Sequence, residues 1–591
     1  MRTGIVKNIF DLRSKFVIIG LTGKTGSGCS IVAEMLGKER LVDLVPPDKA
    51  VCHEGLASND DRKYNIVYNY LQDNWHKFET IKASDIIMLY ALQYSHKDYC
   101  EELNKYGISL NLDQESYDKL HDDACKCLEY LQGRESRHLK YDVNRVDKKQ
   151  YQENVDEALY WRNFLFETLK KYVEDLKEKV TAYKKLSAPM QAWGNNIRKN
   201  NYAFEKQPSG NVPILGNEGP ANLAHVVNHV IKLLRDLNYK DDQKTYVVID
   251  ALRNPYEVLY FRERYSAFYL MSISTPSDVR RKNLSKFNED EIKKLDEVES
   301  PKKAPLEESF QKQDVPKCIE LSDIHVVTNG TEWIHNDDLK RQLMQFVALI
   351  LHPGIITPTP EERVMQIAFT AKLNSGCLSR QVGAVVTDEH FSVKAIGWNT
   401  VAEGQTPCSL RRLEDLHNQN DLIAFSEYEM RNKDFRGKIS KLWNRYTPHF
   451  KDINGMNLSY CFKDVYNSIK GEDNQVHTRS LHAEENAFLQ IVKYGGNSIR
   501  GGYLFTTASP CVLCAKKAYQ LGIKKVFYID LYPDITLSHI FESGLNEMRP
   551  ETEMFKGAIG RAYINLYNPI IPLKDEIETI TGVKKNDIKN L

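Results

Sequence analysis

A chain of 591 residues exceeds what one typical core encloses, so two domains are expected, and 42% hydrophobic with 27% charged residues excludes overall disorder. Lys plus Arg is 80 and Asp plus Glu is 80, so there is no global basic field to hold a polynucleotide. Apolar runs fall short of the ~20 residues that span a bilayer, no signal-peptide pattern opens the chain, and the 11 cysteines are scattered, so a cytoplasmic protein without membrane association or a disulfide framework is expected.

Residues 16–20 read as a short apolar strand, followed at once by a glycine-rich loop and a helical pattern over 31–36. Gly23, Gly28 and Ser30 stand at the fixed places of Gly-x-x-x-x-Gly-Lys-Ser, but Cys29 replaces the phosphate-binding lysine. Loop N–H groups and the helix N-terminus still suit a phosphate, Ser30 suits Mg2+, and Lys24 is the cation at hand. Gly23, Lys24, Thr25, Gly26, Ser27, Gly28, Cys29 and Ser30 thus form a candidate nucleotide site, set against the plainer reading of a glycine-rich turn without a ligand. Phosphoryl transfer is weakened by Cys29.

A helical insertion is expected over about 60–205, rich in Tyr, Leu, Lys and Glu at three- and four-residue spacing. Cys125 and Cys127 lack flanking ligands, and His225 with His229 fits an amphipathic helix face better than a metal pair. Residues 245–249 form a β-branched and aromatic strand ending in Asp250, the place where a carboxylate holds magnesium-bound water beside such a loop. A further strand covers 268–274, then comes the basic run Arg280, Arg281, Lys282, and 285–317 reads as a charged lid or surface loop.

Pro353, Pro358 and Pro360 mark a linker, giving domains of 1–352 and 361–591. A helix over 363–372 precedes strands over 381–386 and 393–399, with Asn399 at the mouth of the expected pocket. Helices over 483–492 and 511–520 alternate with strands over 502–506 and 525–529.

The chemistry concentrates in Leu-His-Ala-Glu-Glu around His482 and in Ser-Pro-Cys-Val-Leu-Cys around Cys511 and Cys514. One imidazole and two thiolates suit tetrahedral Zn2+, and three protein ligands leave a fourth position for water. Glu484 follows the histidine by two residues, where it can carry protons without being a ligand. Such a His-x-Glu and Pro-Cys-x-x-Cys pair is the signature of zinc-dependent deaminases acting on nucleobases. A closed zinc knuckle would need a fourth ligand near the motif, and none stands in the obvious place.

With Arg380 to Val385, then Gly397-Trp398-Asn399 and Cys408 preceding those motifs, the second domain resembles the deoxycytidylate deaminases. The resemblance implies a three-layer α/β/α cytidine-deaminase-like domain, with Asn399 at the sugar or phosphate and Arg380 and Tyr532 at the phosphate end; Cys377 and Cys408 suit either a second, structural zinc or the plainer role of isolated core cysteines. The usual Gly-Tyr-Asn-Gly run is altered here to Gly397-Trp398-Asn399-Thr400, and the stretch from Cys408 to His477 is longer than in a minimal member.

Preceded by a P-loop kinase-like parallel α/β domain, the whole chain resembles bacterial anti-phage deoxycytidylate deaminases. That resemblance implies deamination of free dCTP and dCMP to dUTP and dUMP, depletion of the pool during infection, and restraint by a small inhibitory RNA. A homo-oligomer and, from two nucleotide sites on one chain, a P-loop that senses a nucleotide with Mg2+ are further expectations. A polynucleotide cytidine or adenosine deaminase and a nucleotide-switched binding protein are the alternatives, with a bifunctional kinase and deaminase as a third.

Overall fold

Strand β1 (Phe16–Thr22) is buried along nearly its whole length, as a run without polar alternation must be when both sheet faces are covered. In the computed structural model, which describes residues 2–45, 58–109, 113–133, 148–179, 183–209, 219–240, 243–300, 309–329, 337–472, 478–495, 498–529 and 536–583, the chain divides into two units. One comprises Met1–Thr357 with Arg561–Leu591, the other Pro358–Gly560.

In the first unit, β1 leads through a loop into α1 (Cys29–Leu36). It lies between β3 (Thr245–Asp250) and β4 (Phe268–Ser274), with β2 (Glu79–Lys82) beyond β3 and β5 (Ile324–Val327) beyond β4. All four pairings are parallel, including Phe16 opposite Thr245 and Ile18 opposite Phe268. Neighbours of β1 on both sides come from later in the chain, so the loop after β1 sits where the strand order turns, the crevice where open parallel sheets bind ligands.

Between β2 and β3 a helical body buries Met88, Tyr99, Leu128, Trp161, Trp193 and Ile231 against Ile18, Val247 and Ile249 of the sheet. The expected insertion is corrected at its start, because β2 lies inside it. That strand is four residues long with one fully buried apolar side chain, Ile81, too brief to interrupt a helical pattern.

The stretch read as a lid or loop also holds a helix, α2 (Glu289–Glu299), opened by a reciprocal capping box between Asn288 and Glu291. The boundary at 361–591 is corrected as well. Arg13 Nη2 donates to Asn565 O at 2.9 Å, Arg561 Nη2 to Phe268 O at 2.9 Å, Gly354 N to Leu566 O at 2.8 Å, and His352 Nε2 lies 2.9 Å from Glu576 Oε1. These bonds tie the segment after 560 to the first unit.

The second unit opens with α3 (Pro360–Lys372), whose Thr359 cap and Glu362 form a capping box, so Pro360 is the first helical residue and not linker. Its sheet runs β12 (Glu551–Met554), β11 (Lys525–Tyr528), β10 (Tyr503–Thr506), β6 (Gly383–Thr387), β7 (Val393–Trp398). Strands β7, β6 and β10 alternate in direction while β10, β11 and β12 are parallel.

Alternate residues settle the layers. Val385, Phe505 and Phe527 face Val364, Met365 and Ala368 of α3. Ala384, Val386, Leu504 and Val526 face Ala483 and Ala487 of α4 (Ala483–Tyr494) and Ala515 and Ala518 of α5 (Val512–Gln520).

The long stretch before His482 forms its own cluster around Leu413, Phe425, Ile439, Phe462 and Val465. Arg411 anchors it, with its guanidinium 4.7 Å from the ring centres of both Phe425 and Phe462 and 2.6 Å from Glu429. This cluster loops out between β8 (Thr400–Val401) and β9 (Ser480–Leu481), which pair antiparallel and return the chain directly to His482. Among the described residues no helix is long and apolar enough to cross a membrane.

Candidate active site and glycine-rich loop

His482 is the N-cap residue of α4 and Cys511 that of α5, so two helix starts deliver ligands to one point. Cys514 follows one turn into α5. Close approach makes this possible: a Cβ on Gly397 of β7 would lie 2.2 Å from Ala483 O and 2.4 Å from Ala487 N, so only glycine lets α4 settle on the sheet at the level of His482.

Nδ1 of His482 lies 3.3 Å from Cys511 Sγ and 3.5 Å from Cys514 Sγ, and all three ligand atoms fall within 4.8 Å of one another. A tetrahedral ion with bonds of about 2.3 Å to sulfur and about 2.0 Å to nitrogen needs N···S edges of about 3.5 Å, so the donors fit zinc in type and spacing. Neither Cys377 with Cys408 nor His225 with His229 belongs to such a group of three among the described residues.

The hydrogen bond from Cys514 holds the Cys511 thiol down to about 4, assisted by His482, and the helix N-terminus favours the same thiolate. The Cys514 thiol is pushed up by that bond and by burial. Glu484, at the second position of α4, is 4% exposed, and burial raises its carboxyl above the usual range. Thr506, ending β10, donates from Oγ1 to Ala508 O at 2.8 Å, and the same oxygen lies 3.3 Å from Glu484 Oε1. Sequence reasoning missed Thr506, because a threonine closing a strand carries no motif. Glu485 and Lys517 pair between α4 and α5 beneath the ligands.

Asn399 is brought to this site, with its side chain engaged by backbone: Oδ1 accepts from Val382 N at 2.7 Å and Nδ2 donates to Leu481 O at 3.5 Å. It therefore braces the strand that ends at His482. Arg380 lies exposed on the loop before β6, and Tyr532 lies outside the described residues.

The first unit gathers the other candidates. Gly28 caps α1 at φ 103°, a left-handed conformation that favours glycine, and Gly23, Lys24, Thr25, Gly26 and Ser27 wrap the end of β1. Asp250 ends β3 beside the loop, hydrogen-bonded to Ser30, its carboxyl raised by burial. Burial also pushes the Cys29 thiol up to about 12, leaving it neutral. A cavity of about 380 Å³ adjoins the loop, lined in part by Thr25, Ser30, Lys82, Lys177, Asp250 and Arg253. Glu299 and Arg253 meet the loop at Thr25, and neither residue carries a motif that would have marked it.

Comparison with known proteins places residues 358–530 in the cytidine and deoxycytidylate deaminase zinc-binding region. The deoxycytidylate deaminase of enterobacteria phage T2 is 29% identical over 177 residues, 29% of this chain and 79% of that protein. The deoxycytidylate deaminase of Schizosaccharomyces pombe is 26% identical over 204 residues, 34% of this chain and 47% of its own. Among solved structures, a dCMP deaminase of cyanophage S-TIM5 in complex with dCMP and dUMP is 24% identical, spanning 34% of this chain and 99% of that one, with a TM-score of 0.20.

Proposed function

We propose that this protein, an enzyme carrying a deaminase domain over residues 358–530, hydrolyses the exocyclic amine of free deoxycytidine nucleotides, converting dCTP and dCMP to dUTP and dUMP. The observation that carries the reading is the convergence of His482, Cys511 and Cys514 beside a buried, non-ligating carboxylate, Glu484. A binding-only zinc site has no use for that carboxylate.

Zinc held by His482 Nδ1 and the sulfurs of Cys511 and Cys514 supplies Lewis-acid activation of a water nucleophile at neutral pH. Glu484 takes a proton from the attacking water and passes it to ring N3 as the new C–O bond forms at C4. It then carries the second water proton to the amino group, the C4–N bond breaks, and ammonia leaves as the carbonyl forms. Water and amine become carbonyl and ammonia, with no oxidant or reductant. The Thr506 hydroxyl oxygen stands 3.3 Å from that carboxylate, beside it through both transfers. Asn399, Arg380 and Tyr532 are the proposed contacts to the sugar and phosphates.

The first unit serves in this reading as a P-loop kinase-like nucleotide sensor. Its support is the loop on the central strand of a parallel sheet, the left-handed Gly28 at the helix start, and Asp250 bonded to Ser30 where Mg2+ would sit. Cys29 in the lysine position favours sensing over phosphoryl transfer. Pool depletion in anti-phage defence, homo-oligomer assembly and an inhibitory small RNA complete the reading, and rest on resemblance.

Ammonia release and product identity with dCMP, dCTP, deoxycytidine, CTP and single-stranded DNA offered separately test it, beside Glu484→Ala. Deoxyuridine nucleotide that vanishes in the variant is expected. Activity on DNA alone overturns it in favour of a polynucleotide deaminase.

A further inference from the structure

One side of the glycine-rich loop is met by a carboxylate of the protein itself, at Thr25. The backbone N–H of Thr25 points at the Glu299 carboxylate, 3.0 Å from Oε1 and 3.2 Å from Oε2, and the Thr25 hydroxyl donates to Oε1 as well. Arg253 Nη1 pairs with the same oxygen and lies 3.0 Å from Thr25 Oγ1. Glu299 is fully buried.

Helix stability does not account for this placement. Glu299 is the last residue of α2, where the helix dipole is negative and a carboxylate is disfavoured, and burying it adds a desolvation cost. Both costs are offset by three donors at one edge of the loop, the Thr25 N–H and hydroxyl and the Arg253 guanidinium, groups that serve a phosphate oxygen equally well. The rest of the segment is fastened to the same turn. Arg280 donates from Nε to Thr25 O at 2.8 Å while pairing with Asp296 at 2.7 Å, and Asn283 Nδ2 donates to Gly26 O at 3.0 Å.

We propose that Glu299 is an internal stand-in for phosphate, that Arg253 supplies the positive charge which Cys29 cannot, and that a polyphosphate chain enters the loop only by displacing Glu299 and freeing residues 289–299. This rests on the reading of the loop as a nucleotide site and deepens it by naming how the site is regulated. Displacement leaves Arg253 and the Thr25 amide to the incoming anion, and the adjoining cavity of about 380 Å³ lies within the size range of small-molecule sites. Because the ligand competes with a tethered carboxylate, its apparent affinity is the intrinsic one multiplied by the fraction of protein in which Glu299 is disengaged.

Isothermal titration of the full chain with inorganic tripolyphosphate and Mg2+ tests this, with Glu299→Gln, Arg253→Gln and Gly28→Asp as variants. Glu299→Gln is expected to bind at least ten-fold tighter than the unaltered protein, and Arg253→Gln at least ten-fold weaker. Hydrogen exchange on the unaltered protein is an arm that needs no variant to fold: amides of 289–299 are expected to exchange faster at saturating tripolyphosphate. Equal affinity of the unaltered protein and Glu299→Gln overturns the proposal while leaving the loop as a phosphate site, and so does unchanged or slower exchange over 289–299 at saturation. Binding unaffected by Gly28→Asp, or no binding in any form, overturns the nucleotide reading of the loop and the proposal with it.

Discussion

Glu484 reaches its position through two local choices, a histidine that caps the helix and a carboxylate at the helix's second residue, so that ligand and proton carrier meet at the first turn of α4. The carboxylate lies 3.3 Å from the hydroxyl oxygen of Thr506, the last residue of β10. Replacing it by the isosteric amide removes the proton carrier and leaves the three ligands untouched. Glu484→Gln is therefore expected to lower kcat by about 10²–10⁴-fold, the usual contribution of general acid–base catalysis, while retaining one zinc per chain. Rate and metal content measured on the same preparation check this; loss of zinc with the rate would assign Glu484 a structural part instead.

Gly397 acts between elements, since β7 and α4 approach so closely there that a methyl group would meet the α4 backbone at both Ala483 and Ala487. Gly397→Ala is expected to push α4 away, destabilising the second unit by about 1–3 kcal/mol and lowering its zinc content, read by urea unfolding and metal analysis. The elements around this contact were legible in the sequence because their patterns are strong: the apolar runs of β10 and β11 and the motif-bearing starts of α4 and α5. What escaped did so for physical reasons. Strand β2 owes its existence to pairing with β3 and not to its own four residues, and α2 is a charged helix whose one telling contact, Glu299 on Thr25, joins residues far apart in the chain. Asn399 stands out in the sequence as a candidate contact, but its bonds to Val382 and Leu481 depend on a fold that spacing does not encode.

Across the whole molecule, His325 links the stability of the first unit to pH. It lies on β5, 3% exposed, with Nδ1 2.8 Å from Ser272 Oγ on β4, and burial holds its imidazole down to about 3. The unfolded chain binds a proton near pH 6.5 that the folded chain refuses. Stability from this group is therefore complete above pH 6.5 and is lost as pH falls toward 3, by about 1.4 kcal/mol per pH unit within that window. The urea midpoint of the first unit should fall with acid between pH 6.5 and 4, and less steeply in His325→Leu; parallel slopes would show that other groups govern the response.

Truncation after residue 560 should loosen the same unit, because Arg13, Phe268, His352 and Gly354 would lose the partners that residues 561–583 provide. Faster hydrogen exchange over Arg2–Ser14, with the second unit unchanged, is the expected result.

That return of the chain also sets an order of events during synthesis. Residues 358–560 leave the ribosome as a complete unit, able to fold and take up metal, while the unit that began first still waits for the strand-binding Arg561 and the helix carrying Glu576. Translation thus delivers the catalytic machinery before the module proposed to govern it is finished, and a nascent chain passes through a stage in which the zinc site is whole and its host is not.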